Sequence, residues 1–184
     1  ATELSFRHPG EWYGPAQLPF GEGVYVKDPD KDIGVIMQLE LSGNPAQLLA
    51  GWGTSEISFV GLLTFTPESV ADGEPITISR LESSTKIAQG SGLTAQATFV
   101  DRPQDVMLLM WYAPTEQWND LQATFADVLA SIEIWRKYTS KGLHTMYLHD
   151  WPKPVAPWEG DGIWFRSTDE KTGLVVRLGA VADP

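Results

Sequence analysis

The chain contains no cysteine, which excludes disulfide staples, thiolate metal sites and cysteine nucleophiles together. No apolar run approaches the ~18 residues of a membrane-spanning helix. Basic charge is scarce: 13 Lys and Arg stand against 24 Asp and Glu, for a formal net charge of −11. Apart from the pair Arg136-Lys137 the basic residues are scattered, with no cluster to reward a phosphate backbone, so nucleic acid is not expected as a partner. Nucleophile-elbow and phosphate-loop motifs are also missing; "QGSGL" and "GWGTSE" lack the spacing and the strand-to-helix context. The chain begins at Ala1 rather than Met. A trimmed leader, with or without a lipid-bearing cysteine, is the expectation that follows.

What is present suits a globular protein. With 184 residues and 42% hydrophobic content, one domain with an extension is expected: a domain over residues 1–138 and a Trp/Pro-rich extension over 139–184. "LSFRH" reads as a short strand stopped by Pro9-Gly10. "GVYVKD" and "GVIMQLEL" alternate in period two and predict a hairpin around an Asp/Pro connector. "NPAQLLAGW" predicts a short helix, with Asn44 as cap and Pro45 in its first turn. "FVGLLTF" and "PITISRL" read as short strands. "GLTAQATFV" is the cleanest alternation, and the wholly apolar "VMLLMWYA" at 106–113 predicts a central strand covered on both faces. Trp118, Leu121, Phe125, Val128 and Ile132 step by three and four, predicting one helix over 115–132. Beyond Tyr138 the chain reads as irregular until a final hairpin within "GIWFRSTDEKTGLVVRL".

Three groups could carry chemistry. Asp28, Asp30 and Asp32 alternate, as carboxylates converging on calcium would. Counted from Asp28, however, the sixth position is Ile33 and the twelfth Leu39, where a calcium loop needs Gly and Glu. A hairpin turn uses Asp, Pro and Gly anyway. The reading is therefore a turn, with no cofactor expected. His144 and His149 are five apart, which suits neither a helical pair nor one face of a strand. Trp151, Trp158 and Trp164 lie in the extension, where tryptophans anchor partners or pin a Pro-rich segment onto its own domain.

Two motifs carry a resemblance. The start, Phe6-x-His8-Pro9-Gly10-x-Trp12, and the ending, Phe125-x-x-Val128-Leu129-x-Ser131-Ile132, look like those of the PsbP-like family, over roughly residues 3–136. That resemblance implies an α+β fold: an α/β/α sandwich around a mostly antiparallel sheet, here followed by an extension with a β-hairpin. It also implies a non-enzymatic, extracytoplasmic binding or assembly factor. Such a factor would dock on a protein partner or a membrane-associated complex, with a lipid anchor as one route to the membrane. The alternatives are a carbohydrate- or metal-binding module using the tryptophans or the aspartates, and a cytoplasmic secretion-effector chaperone of the same fold.

Overall fold

The computed structural model describes residues 4–59, 61–79, 81–102, 105–140, 143–148, 162–166 and 173–177. The chain groups into two units, Leu4–Ile132 and a second beginning at Glu133. In the first unit the elements are β1 (Leu4–Ser5), β2 (Tyr13–Gln17), β3 (Gly23–Lys27), β4 (Gly34–Leu41) and α1 (Pro45–Gly51). There follow β5 (Ile57–Phe59), β6 (Leu63–Phe65), β7 (Ser69–Ile78), β8 (Leu81–Gly90), β9 (Leu93–Asp101), β10 (Val106–Pro114) and α2 (Gln122–Ala130).

Seven strands form one sheet in the order β2-β3-β4-β10-β9-β8-β7. Every pairing in it is antiparallel. Two meanders of sequential hairpins thus meet along the β4–β10 seam. The predicted β3–β4 hairpin is found with Lys27 opposite Gly34. Strand β10 is the middle strand of the sheet and is buried from Val106 to Ala113. Its even residues Leu108, Met110 and Tyr112 join a core with Ile36, Trp52, Phe65 and the small Ala88, Ala95 and Ala97. Helix α1 and the β5–β6 hairpin cover that face. The opposite face lies under α2, whose Phe125 and Val128 are fully buried.

This architecture corrects the helix-layered α+β sandwich expected from the resemblance. The described chain is mostly strand, with helix limited to seven residues in α1 and nine in α2. The stripe over 115–132 is buried at Trp118, Phe125, Val128 and Ile132 as expected, yet it is not one helix. A 3-10 turn occupies Thr115–Gln117, turns run through 118–121, and α2 begins only at Gln122. Asn119 and Asp120 fall at this break, and such side chains favour turns over helix interior. Strand content was missed in the opposite direction. "PITISRL" is no single strand: it crosses from β7 to β8 through a tight turn with Ser79 at φ 47. "FVGLLTF" likewise folds back at Gly61.

The second unit contains β11 (Glu133–Ser140), β12 (Leu143–Leu148), β13 (Gly162–Arg166) and β14 (Gly173–Arg177). β11 pairs with β12 from Trp135–Leu148 to Ser140–Leu143, so the stretch just beyond Tyr138, which the sequence suggested to be irregular, is strand at 139–140 and 143–148. The final hairpin was expected and is found, with Trp164 opposite Val175.

Both edges of the large sheet are interrupted. β2 slips register between Tyr13 and Ala16, around Pro15, and β7 slips between Gly73 and Ile76, around Glu74 and Pro75. A proline offers no ladder N–H, and a slipped, charged edge resists pairing with another chain.

Candidate functional site

Helix α1 forms because Asn44 caps it: Asn44 Oδ1 accepts from the N–H groups of Ala46 (2.9 Å) and Gln47 (3.2 Å), while Pro45 presets the first turn. The helix is only two turns long, and its own buried residues are none. What holds it down is Trp52, just past its end, buried in the core with Ala88, Ala95 and Ala97. These small side chains allow close approach at that end.

Farther along the sheet β9 presents Phe99 instead of alanine, and an open groove of about 620 Å³ lies between α1 and β8–β9. Its apolar lining comes from Ala46, Leu49, Ala50, Leu81 and Phe99. Asp72, Glu82 and Asp101, all exposed, stand around it. Among the described residues the basic lining residue is Lys86, which donates from Nζ to the Ala50 carbonyl at 3.2 Å. That bond ties α1 to the sheet and draws the ammonium towards the helix. The groove is thus an apolar trough with an acidic rim, the kind of concave, mostly apolar surface that ligands and partner segments occupy.

The sequence-predicted sites are placed as follows. Asp28, Asp30 and Asp32 lie in the β3–β4 turn, which closes through Asp28 N–H to Ile33 O at 2.9 Å. Asp28 Oδ1 accepts from Asp30 N–H at 2.9 Å, an Asx turn, and Asp28 Oδ2 faces Lys31 Nζ at 4.0 Å. Among the described residues no three His, Asp or Glu side chains are grouped for a metal. His144 is on β12 opposite Thr139. Trp164 is on β13. Trp151, Trp158 and His149 lie outside the described residues. His8 Nδ1 lies 2.8 Å from the Pro9 carbonyl, within the opening motif.

The groove residues Leu49, Asp72, Glu82, Phe99 and Asp101 were not singled out from sequence, because the β7–β8 hairpin went unread. The available signal was alternation through Ile76, Ile78 and again Thr85, Ile87 on either side of Ser79-Arg80.

One titratable group near the aspartate turn is shifted. Burial, then the negative charge of Asp32, then Tyr25, push the Tyr112 hydroxyl up to about 12. Tyr112 stands over Gly34, where a Cβ would come within 2.8 Å of its hydroxyl oxygen; glycine is what allows the ring to lie there.

No helix of the described residues is long and apolar enough to cross a membrane. No protein-family model matches the chain, and no curated protein matches it either.

Proposed function

We propose that this chain is a non-enzymatic docking protein, and that the groove beside α1 receives a partner segment with an apolar centre and basic flanks. The observation that carries this reading is the union of an apolar trough (Leu49, Leu81, Phe99) with an acidic rim (Asp72, Glu82, Asp101). Apolar burial would supply affinity, and the rim would select cationic partners and speed encounter. A net charge of −11 extends that attraction beyond the groove. The PsbP-like motifs favour the same class of role, and an extracytoplasmic location belongs to that reading. The aspartate turn is structural in this account. Calorimetry revealing a micromolar calcium site that disappears in Asp30→Ala would reverse that part.

The experiment is an amide NMR titration with a short peptide of alternating leucine and lysine. Shifts should concentrate at 45–50, 81–86 and 99–101, and the affinity should fall with salt and in Asp72→Asn/Glu82→Gln/Asp101→Asn. Shifts spread evenly over the acidic surface, or undiminished in the triple variant, would sink the proposal.

A further inference from the structure

On the opposite face of the sheet, β9 carries an amide where an apolar side chain would be expected. Gln96 is buried at 6% exposure, and its cross-strand neighbours are Ile87 on β8 and Trp111 on β10. A buried amide is retained at little penalty only when both its halves have partners. Here one half is provided for: Gln96 Nε2 donates to Thr85 Oγ1 at 2.8 Å. Thr85 Oγ1 in turn donates to the Glu74 carbonyl at 2.9 Å. Because the Thr85 proton is committed to Glu74, Thr85 can only accept from Gln96, so the amide cannot flip.

The edge strand is shaped around this relay. A Cβ at Gly73 would collide with Thr85 Oγ1 and come within 2.9 Å of Gln96 Nε2. The register slip after Gly73 brings the Glu74 carbonyl to the threonine.

The Gln96 carbonyl oxygen is not among the enclosed unpaired atoms of the described residues, where Arg102 Nη1 stands, and Gln96 lines an open pocket of about 360 Å³ between α2 and the β7–β8 end of the sheet, from which an acceptor can be reached. The surrounding walls are Ile76, Ile87, Trp111, Trp118 and Phe125. The volume is within the range of small-molecule sites, which are typically apolar with a few fixed polar groups.

We infer that this cavity is a binding site for a small neutral aromatic molecule carrying one N–H or O–H donor, which the fixed Gln96 carbonyl accepts while the aromatic walls hold the ring. Tryptophan and phenylalanine offer ring faces and edges to such a ligand. Glu74 at the cavity disfavours anions. This site is separate from the α1 groove and does not depend on the docking role.

The test compares indole with N-methylindole, which has nearly the same shape and no donor, by amide NMR titration of the whole chain. Indole should shift residues of β8, β9 and α2 around the cavity and bind at least ~10-fold tighter than N-methylindole, because a site built to accept a hydrogen bond rejects the analogue without one. Gln96→Leu should abolish the difference between the two ligands, since Thr85 keeps its bond to Glu74. Ala126→Trp, at an exposed cavity-lining position, should block both ligands without touching the relay, and serves if Gln96→Leu fails to fold. Indole producing no shifts at millimolar concentration, equal affinities in the wild type, or binding unaffected by Ala126→Trp would each overturn the inference.

Discussion

Trp12 packs edge-on against Phe125, with ring centroids 6.3 Å apart and planes at 65°. The opening and closing motifs of the first unit therefore meet in one aromatic cluster, which Trp118 extends at 5.8 Å from the same phenylalanine. Arg7 N–H donates to Ser131 Oγ at 2.8 Å beside it. Phe125→Ala should cost about 3–5 kcal/mol in denaturant melts, as for other buried phenylalanines. With Trp12→Ala, a double-mutant cycle should return a coupling of about 0.5–1.5 kcal/mol. A loss under about 1 kcal/mol for Phe125→Ala would show that α2 does not anchor this face.

Asp105 has a comparable role at the β9–β10 turn. Its carboxylate accepts from Arg102 Nε and Nη2, both at 2.7 Å, and from Glu40 N–H at 3.0 Å. The Arg102 side chain is only 3% exposed. Asp105→Ala leaves a buried guanidinium without its counter-charge, and should cost about 3–5 kcal/mol. Asp105→Asn keeps an acceptor and should lose less. Equal stabilities of Asp105→Ala and wild type would contradict the assignment.

Tyr112 should make stability depend on pH at the alkaline end. Phenolate is the charged form, so a folded-state value of about 12 above the ordinary value near 10 means the native state holds the proton more tightly. Its contribution, roughly 3 kcal/mol, is complete below pH 10 and is lost as pH rises from 10 through 12. Tyr112→Phe should therefore flatten the unfolding free energy between pH 10 and 12 relative to wild type. Parallel profiles for the two proteins would sink the claim.

Edge strand β7 should stay monomeric because of its interruption. Replacing Glu74 and Pro75 together by threonine restores the ladder donor missing at 75, removes a charge and raises β-propensity on a ten-residue edge. Light scattering should then report concentration-dependent association that wild type lacks. A variant that stays monomeric at millimolar concentration would show that the interruption is not what protects the edge.

Legibility in the sequence followed local physics. Asn44-Pro45 announced α1 because capping depends on neighbours a few residues away. "VMLLMWYA" announced a strand buried on both faces because nothing polar interrupts it. The helix over 115–132 was overread, since an apolar stripe records which side is buried and not whether the backbone winds continuously. β7 and β8 were underread because their surfaces are largely exposed, as at Asp72, Glu82 and Ser84. The groove depends on Asp72 and Lys86 being opposite each other across β7–β8 and on α1 arriving from another part of the chain. The amide cavity was visible only as Gln96 in an alternation, because its meaning comes from Thr85 and Glu74 across two strands.

The seam between the two meanders has a consequence for synthesis. Glu40 and Asp105, which meet beside it, are 65 positions apart in the chain. At roughly 5–20 residues per second of translation, β4 waits about 3–13 s for its partner to be made. Throughout that interval Val35, Ile36, Met37 and Leu39, all buried in the finished protein, belong to a strand with one open edge. The nascent chain is most vulnerable to aggregation in that window, and a ribosome-associated holdase would protect it best between the emergence of Leu41 and that of Pro114.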